Sequence, residues 1–334
     1  MEIKQEESLI PMKNKNNGMS FLGKFIHMRE FMILMVVVFA CILLSIASPI
    51  FLTKTNILAV LLGLSVNVIV AIGMTNLMVS GGFDMSVGST VAMTGGFAAL
   101  AMASGLPTWI AIIIGLLTGF IIGLANGLII AKIGINPFIT TLGMMSVVRG
   151  MLMVIVKGKT ITGFPPSFTI IGQGKILGIQ YPIIIAIIMV VIGDILLRRS
   201  RFFRQNYYIG GNERAAILSG INVDNMKIFN YALIGVLSAI AGLIMTSRLA
   251  AASVTAGTGL ELQVISATII GGASLSGGEG TVSGTFLGAL LMALITNALN
   301  LLGVDVYWNS LVIGSVLIIA VMIDVLGKKK QGLS

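Results

Sequence analysis

Residues 31–52 read FMILMVVVFACILLSIASPIFL. This run contains no charged residue and is longer than the ~20 residues that a helix needs to cross a bilayer. The triplet Ser45-Ile46-Ala47 loosely resembles a cleavage site, but a leading segment of 30 residues precedes the run. A signal peptide also has a shorter apolar core, of about 7–15 residues. The run therefore predicts a first membrane helix that is not cleaved.

The rest of the chain has the same apolar character. Its 334 residues are 56% hydrophobic and 10% charged, and the mean hydropathy is +1.04. A soluble domain carries about 25% charged residues, so the composition predicts an all-α polytopic membrane protein. The net charge of +9 is then expected to record orientation in the membrane rather than nucleic-acid binding.

Ten apolar segments are long enough to be candidate membrane helices. The eighth is short for a straight span, so we interpret it as a half-helix or as a helix that begins earlier, near Leu260. The predicted transmembrane domain covers 31–326, between an N-terminal segment at 1–30 and a tail at 327–334. The ten segments are 31–52, 57–79, 85–104, 109–131, 137–156, 181–197, 228–248, 264–277, 282–302 and 309–326.

The distribution of basic residues predicts the orientation. Ten crossings place both termini on one side. If that side is the cytoplasm, fifteen Lys and Arg residues lie inside and five outside, as the positive-inside rule requires. Trp109 and Trp308 then begin helices at the external interface, where tryptophan is enriched. Both termini are therefore predicted to be cytoplasmic.

Glycine is distributed in patterns. Glycines recur every four residues from Gly115 to Gly127, which predicts a flat helix face that lets a neighbouring helix approach closely. Such a face can serve dense packing or can slide during transport. A shift of 196 residues also aligns SGGFDMSVGS at 80 with SGGEGTVSGT at 276. This alignment is either an internal repeat or a chance match in a glycine-rich chain.

Several classes of chemistry are excluded by simple counts. The single cysteine, Cys41, and single histidine, His27, cannot form a disulfide, a metal cage or a Cys-His catalytic pair. The GKT at 158–160 lacks the earlier glycine of a phosphate-binding loop, because Met153 occupies that position. We therefore expect no catalytic residue, metal or nucleotide in this chain, and any ATP must be bound by another subunit.

Polar side chains at or near membrane depth indicate a transport path. Such residues are costly in lipid and tend to face a bundle interior or an aqueous path. They are mostly amides, which suit a neutral, hydroxyl-rich solute better than an ion-coupled cycle. Each can instead form an ordinary hydrogen bond between helices. The residues predicted to line the path are Asn67, Asn76, Asp84, Asn126, Gln263, Asn297 and Asn300.

One long polar stretch interrupts the apolar chain, and we name residues 198–227 the polar island. Within it, Asn212 can cap a helix and Glu213 complements the positive end of its dipole. Gly220 suits the left-handed stop, and Asp224 can cap the next membrane helix. The enclosed helix has about two turns, too few to be stable alone, so it must dock on something.

The docking surface of this helix has two interpretations. Ala215 and Ala216, with Ile221 and Val223, are predicted to form a small apolar surface rimmed by charge, which fits a groove in a soluble partner. The helix could instead lie back on its own membrane domain.

Five separated blocks of the sequence resemble ABC importer permeases of the ribose and simple-sugar branch. They are GGFDMSVGS (81–89), NPFITTLGMMSVVRG (136–150), GGNERAAILSGINV (210–223), TAGTGLELQVISATIIGGASLSGGEGTVSGTFLGA (255–289) and NALNLLGV (297–304). The resemblance covers most of residues 31–326. It implies a ten-helix bundle like that of type II ABC importers, in a bacterial plasma membrane.

The resemblance also implies partners and roles. Two permeases, alike or different, would form the membrane part. A cassette ATPase would bind ATP and Mg²⁺ beneath it, and an extracellular sugar-binding protein would deliver the solute. Nothing in the sequence decides which sugar is carried. The residues that the resemblance implies for ATPase coupling are Gly211, Asn212, Glu213, Arg214, Ala215, Ala216, Ser219, Gly220 and Ile221.

Two other functions remain compatible with the residues alone. An ion-coupled secondary transporter of a small polar solute would need no ATPase and leaves the short helix of the polar island unexplained. A membrane receptor or scaffold that binds a soluble partner leaves the polar interior unexplained.

Overall fold

The computed structural model describes residues 29–305 and 307–330, and over these residues the chain forms thirteen α-helices and four two-residue strands. The segment predicted for 1–30 lies almost wholly outside the described residues, as does the end of the predicted tail. The helices are α1 (Arg29–Ala47), α2 (Lys54–Val79), α3 (Val87–Ala103), α4 (Thr108–Leu128), α5 (Pro137–Val156), α6 (Pro166–Gln173), α7 (Tyr181–Arg199), α8 (Arg201–Gly211), α9 (Glu213–Leu218), α10 (Val223–Leu249), α11 (Leu260–Ile270), α12 (Val282–Leu301) and α13 (Tyr307–Lys330). The strands are β1 (Ile161–Thr162), β2 (Lys175–Ile176), β3 (Ile179–Gln180) and β4 (Ala251–Ala252), paired antiparallel as β1 with β4 and β2 with β3.

All ten predicted apolar segments form helices. Within the described ranges, eight helices are long and apolar enough to cross a membrane, namely α1, α2, α4 with its π-helical continuation Ile129–Ile133, α5, α7, α10, α12 and α13. The other two segments form the shorter apolar helices α3 and α11. α11 begins at Leu260 and has 11 residues, about 16 Å at 1.5 Å per residue, so it cannot cross alone. The predicted all-α polytopic bundle is confirmed.

Helices α2 and α10 form the centre of the bundle. In the most apolar stretch of α2, 61% of residues are buried, and 67% in that of α10, whereas none is buried in α13. A membrane helix that is buried on most of its surface must be surrounded by other helices rather than by lipid. α2 and α10 are therefore the elements that the remaining helices hold in place.

The glycines of α4 serve close helix packing. A methyl group added at Gly119 would overlap the carbonyl oxygen of Gly235, and one at Gly123 would overlap that of Tyr231. The two backbones of α4 and α10 thus touch along this face. Small residues permit such an approach in membranes, where contact and not water exclusion drives helix association. The periodic glycines are accounted for by dense packing in this structure.

The packing contains an internal repeat that differs from the one in the sequence. α3 packs against α4, α5 and α10, and α11 packs in the same way against α12, α13 and α2. The beginnings of α3 and α11 meet where Gly88 and Gly257 touch. The turns aligned by the 196-residue shift follow α2 and α11, which are not equivalent in this arrangement.

The two aligned turns are instead direct neighbours. The N–H of Gly278 donates to the carbonyl oxygen of Val79 over 2.8 Å. Glycine suits such a meeting because it has no Cβ and adopts the positive φ found at Gly81, Gly277 and Gly278. Their similar composition therefore accompanies a shared contact at one end of the bundle.

Both ends of the described chain lie at the end of the bundle that carries the polar island, which we name the island end. Near the first described residue, Glu30 pairs with Arg198 of the island over 3.0 Å. In the last helix, Asp324 lies 3.5 Å from Ser274, in the glycine-rich turn that adjoins α2. We name the opposite end the far end. This arrangement agrees with an even number of crossings.

Candidate functional site

The polar island folds into two consecutive short helices between the membrane helices α7 and α10. The helix α8 is amphipathic and lies against the island end, and α9 follows after Asn212 alone. Asn212 is extended, with φ −159° and ψ 100°. This extended residue ends α8 and turns the chain into α9.

Helix α9 is terminated as its sequence predicts. The side chain of Asn212 accepts from the N–H of Ala215 over 3.0 Å. At the other end Gly220 has φ +82°, and the N–H of Ile221 donates to the carbonyl of Ala216 over 3.1 Å. These are the bonds of an N-cap and of a glycine-terminated helix. The helix is thus limited to six residues by chemistry at both ends.

The cap of the following helix differs from the prediction. Asn222, and not Asp224, caps α10 by accepting from the N–H of Asn225 over 3.0 Å. Asp224 lies in the first turn, where it pairs with Lys132 at 2.9 Å. The ion pair joins α10 to the end of α4, so the carboxylate contributes to a contact between helices instead of to a cap.

The buried face of α9 is also different from the prediction. Ala216 and Val223 are 3% and 4% exposed and pack with Ile209 and Met226 inside the protein, so they offer no surface to a partner. Ile221 is only partly buried and packs against the same cluster. The apolar side chains that α9 itself leaves exposed are Ala215, Ile217 and Leu218, the last two being 55% and 89% exposed.

Both interpretations of α9 therefore describe part of the structure. One residue of the helix, Ala216, anchors it on its own domain, while its other residues stay exposed. Lys227 of α10 adds a second attachment by donating to both carboxylate oxygens of Glu213, over 2.8 and 2.9 Å. The result is a short helix that is held in place and still presents most of its surface.

Under α8, three buried asparagines connect the polar island to the centre of the bundle. Asn206 of α8 accepts over 2.7 Å from Asn230 of α10 and lies 3.5 Å from the Oδ1 of Asn76 of α2. Asn230 also donates to Ser80 over 3.3 Å. We name Asn76, Asn206 and Asn230 the asparagine cluster. Asn76 was predicted to line the path, but here it is 2% exposed and serves as an anchor.

Of the asparagine cluster, only Asn76 is among the residues that the sequence singles out. Asn206 lies among Phe202, Phe203 and Ile209, the apolar residues of an amphipathic helix. A single amide on an apolar helix face is a signal for a buried hydrogen-bonded contact, and that signal was present in the sequence.

The remaining predicted path residues are found in four different places. Asn67 of α2 donates to Gln263 of α11 over 3.0 Å. Asn297 of α12 pairs with Asn56 at the far end, over 2.8 and 3.2 Å, and Asn300 is exposed at the end of the same helix. Asp84 and Asn126 lie together elsewhere. The structure therefore brings together only Asn67 with Gln263 and Asp84 with Asn126.

Asp84 and Asn126 form a buried polar group near the island end. Asp84 accepts from the N–H and hydroxyl of Ser86 over 2.7 and 2.6 Å, and Asn126 donates to the Ser86 hydroxyl over 3.0 Å. Burial raises the pKa of Asp84 above its ordinary value, and these hydrogen bonds oppose the rise. Among the described residues, the Oδ1 of Asn126 has no hydrogen-bond partner.

The Asn67–Gln263 pair lies in a cleft toward the far end, between α2, α10 and α11. The cleft has a volume of about 310 Å³, near the lower limit of the ~300–1,000 Å³ usual for small-molecule pockets. We name it the polar cleft. Its lining is Gly63, Val66, Asn67, Met245, Arg248, Leu249, Thr255, Gly257, Thr258, Leu260 and Gln263.

One wall of the polar cleft is held by an arginine from a neighbouring membrane helix. Arg149 of α5 donates to the carbonyl oxygens of Val254 and Ala256, the latter over 2.8 Å. An ionisable residue within a membrane segment marks a functional element by default. The sequence placed Arg149 within a segment but gave it no partner, because these carbonyls are more than a hundred residues away.

Comparison with known proteins gives a consistent result. The family model for branched-chain amino acid transport system permease components matches residues 56–321. The ribose import permease protein of Haemophilus influenzae is 42% identical over 325 residues, 96% of this chain and 99% of that protein. The corresponding protein of Bacillus subtilis is 43% identical, over 85% of this chain and 88% of its own length.

More distant relatives carry names for other sugars. The xylose transport system permease protein of Haemophilus influenzae is 34% identical, over 84% of this chain and 92% of its own length. No solved structure matches the chain significantly. The resemblance found in the five sequence blocks is confirmed, and the chain belongs to the family of transport-system permease components that includes the ribose import permeases.

Proposed function

We propose that the chain is the membrane permease subunit of an ABC importer and carries ribose or a similar small neutral sugar inward. Relatives named as ribose, arabinose and xylose permeases, at 34% to 43% identity over most of the chain, support this function. The sequence contains no nucleotide-binding loop, so ATP and Mg²⁺ belong to a separate ATPase subunit. This chain then supplies the path and hydrolyses nothing itself.

The observation that carries the proposal is the exposed short helix of the polar island. α9 has six residues, and Leu218 beside its end is 89% exposed. An isolated helix of this length is unstable in water. An exposed leucine on a helix that is capped at both ends does not stabilise the fold of the chain itself. A soluble protein with a groove for this helix accounts for both features. The proposed identity of this soluble protein is the cassette ATPase.

The proposed orientation puts the island end in the cytoplasm. The polar island carries Arg198, Arg199, Arg201 and Arg204 directly at the end of α7, and an excess of basic residues is typical of cytoplasmic loops. Both termini are then cytoplasmic, and the protein lies in the bacterial inner membrane. The far end, with the polar cleft, faces outward, where an extracellular sugar-binding protein would dock.

A second permease copy, identical or related, completes the proposed assembly. The outermost helix α13 has none of its apolar stretch buried by the rest of the chain, and α5 has 17% of its stretch buried. Either lipid or a second permease covers these faces. The residues already proposed for ATPase coupling, Gly211 to Ala216 with Ser219, Gly220 and Ile221, lie at the island end.

The experiment that tests the proposal is purification of the permease with its ATPase. We expect Leu218→Glu to weaken ATPase binding by about 10- to 100-fold, because burying a leucine contributes ~1.5–3 kcal/mol. The control is Leu177→Glu, which changes an equally exposed leucine (97%) at the far end. Leu177→Glu should leave ATPase binding unchanged, whereas Leu218→Glu should also abolish ATP-dependent uptake of radiolabelled ribose.

Two results would contradict the proposal. Equal ATPase binding by both variants would show that α9 is not the docking element. Sugar uptake that continues after deletion of the ATPase and follows an ion gradient would favour the secondary transporter instead.

A further inference from the structure

The polar cleft has the chemistry of a binding site for hydroxyl groups. Its hydrogen-bonding side chains are the amides of Asn67 and Gln263, the hydroxyls of Thr255 and Thr258, and the guanidinium of Arg248. Amides and hydroxyls can both donate and accept, as sugar hydroxyls do. No carboxylate belongs to the lining. We propose that the polar cleft is a subsite for one neutral, polyhydroxylated molecule of monosaccharide size, an inference that rests on the proposed import function.

The floor of the cleft retains unused hydrogen-bonding capacity. In the 3.0 Å bond between the two amides, Asn67 donates through Nδ2 and Gln263 accepts through Oε1. This leaves the Oδ1 of Asn67 as an acceptor and the Nε2 of Gln263 as a donor, with no hydrogen bond between either atom and the described residues. A solute hydroxyl placed above the pair can donate to the first atom and accept from the second.

The charge of Arg248 is already partly engaged by the protein. Its Nη1 donates to the carbonyl oxygen of Leu62 over 3.2 Å, which fixes the guanidinium against α2. The remaining N–H groups lie on the wall of the cleft and can donate to hydroxyl oxygens. Because a backbone carbonyl does not neutralise the guanidinium, the choice of a neutral ligand rests on the proposed import function and not on the charge of the lining.

The wall opposite α2 is fixed before any solute arrives. Gly257 has φ +67°, and a methyl group there would lie 2.6 Å from the carbonyl oxygen of Gly88, so this loop is seated tightly on the beginning of α3. Arg149 holds the carbonyls of Val254 and Ala256 on its other side. A preformed wall lowers the ordering cost of binding, and it connects the cleft to the position of α5.

The geometry also distinguishes this amide pair from a second one. Asn56 and Asn297 form reciprocal bonds of 3.2 and 2.8 Å between α2 and α12, also toward the far end. Asn56 borders an apolar cavity instead of the polar cleft. Both pairs are hydrogen-bonded amides, but only Asn67 and Gln263 face the polar cleft. Substitutions in the two pairs therefore distinguish a role in binding from a role in structure.

The test is ribose uptake by the complete importer in proteoliposomes, with ATPase and sugar-binding protein present. We expect Gln263→Leu to lower the maximal uptake rate about tenfold, because the transported solute loses one hydrogen bond to the cleft. The matched variant Asn56→Leu should lose as much thermal stability as Gln263→Leu does. It should nevertheless keep an uptake rate within about threefold of wild type. Equal uptake by both variants overturns the subsite.

A second variant covers the case in which Gln263→Leu does not fold. Thr258 is exposed at the rim of the cleft, and its side chain donates only to the carbonyl oxygen of Thr255 among the described residues. We expect Thr258→Trp to fill the cleft and block uptake. Its control is Ser104→Trp, at another exposed hydroxyl position toward the far end. Normal uptake by Thr258→Trp overturns the subsite.

The outcomes separate the subsite from the proposed function. If the wild-type complex shows no ATP-dependent sugar uptake, the proposed function fails. If the wild type imports ribose while the cleft variants match their controls, only the subsite fails. Competition by ribose 5-phosphate that is stronger than competition by xylose would overturn the assignment to a neutral ligand.

Discussion

The asparagine cluster gives the sharpest prediction about how the polar island is attached. In Asn206→Leu, the bond of 2.7 Å from Asn230 is lost, and the buried amide of Asn230 keeps only its 3.3 Å contact with Ser80. A neutral hydrogen bond contributes about 0.5–1.5 kcal/mol, and a buried polar group left without a partner costs about 1–3 kcal/mol. We therefore expect the variant to lower the free energy of unfolding by about 2–4 kcal/mol.

The assay is unfolding of the purified permease in detergent, followed by intrinsic fluorescence. The control is Asn225→Leu, in the first turn of the same helix as Asn230 but with an exposed side chain, where a change within about 0.5 kcal/mol is expected. Leucine is branched at the same carbon as asparagine but is larger, so overpacking at the buried position adds to the loss of the hydrogen bonds. If both variants unfold alike, the asparagine cluster does not hold α8 to the bundle and the reasoning fails.

Two further predictions concern packing and charge. We expect Gly119→Val to destabilise the protein by more than ~3 kcal/mol, because the new side chain meets the backbone of Gly235 and overpacking by one or two methyl groups alone costs ~1–3 kcal/mol. The control is Gly143→Val, where nothing lies within 4 Å. Equal stability of the two variants in detergent unfolding would contradict the close contact. The pKa of Asp84 is raised in the folded state, so above the ordinary carboxylate pKa of ~3.9 the folded protein binds more protons than the unfolded one. The free energy of unfolding should therefore decline as the pH rises through this range. Asp84→Asn should remove this decline, and an unchanged pH profile of unfolding would show that Asp84 is not responsible.

The membrane architecture follows from composition because hydropathy acts locally. Each apolar run is selected by its own residues, so the sequence predicts all ten segments, and the start of α11 at Leu260 is one of the two interpretations left open for the eighth. The caps of α9 are also local, since Asn212 and Gly220 act within four residues of themselves. These features need no knowledge of distant parts of the chain.

The errors concern choices that distant residues decide. Asp224 is a good cap by residue type, but Lys132 draws it into an ion pair and leaves the cap to Asn222. The six residues of α9 are too few to show a helical period, so the sequence could not select Ala216 as the buried position over Ala215. The internal repeat lies in how the helices pack and not in residue identity. The glycine-rich turns that look alike in the sequence are instead neighbours in the structure.

The amides show the same limit most clearly. The six amides among the seven predicted path residues look equivalent in the sequence, because a membrane amide needs a partner whether it lines a path or joins helices. For Asn76, Asn67 and Asn297, the partners that decide the outcome lie 130, 196 and 241 positions away. Asn76 joins the asparagine cluster, Asn297 joins Asn56, and Asn67 reaches Gln263 in the polar cleft.

Helix α2 carries both kinds of amide, and this placement relates the two ends of the molecule. Asn76 contacts the polar island through Asn206, and Asn67 forms the floor of the polar cleft. The two residues are nine positions apart, about 14 Å along a helix axis, and every residue between them is buried. A helix packed on all sides moves as a unit, because close-packed interiors shift between discrete arrangements and do not bend continuously. A displacement of α8 by a partner at the island end should therefore reach the Asn67–Gln263 pair through α2 without any change inside that helix, in parallel with α10, which carries Asn230 and Arg248.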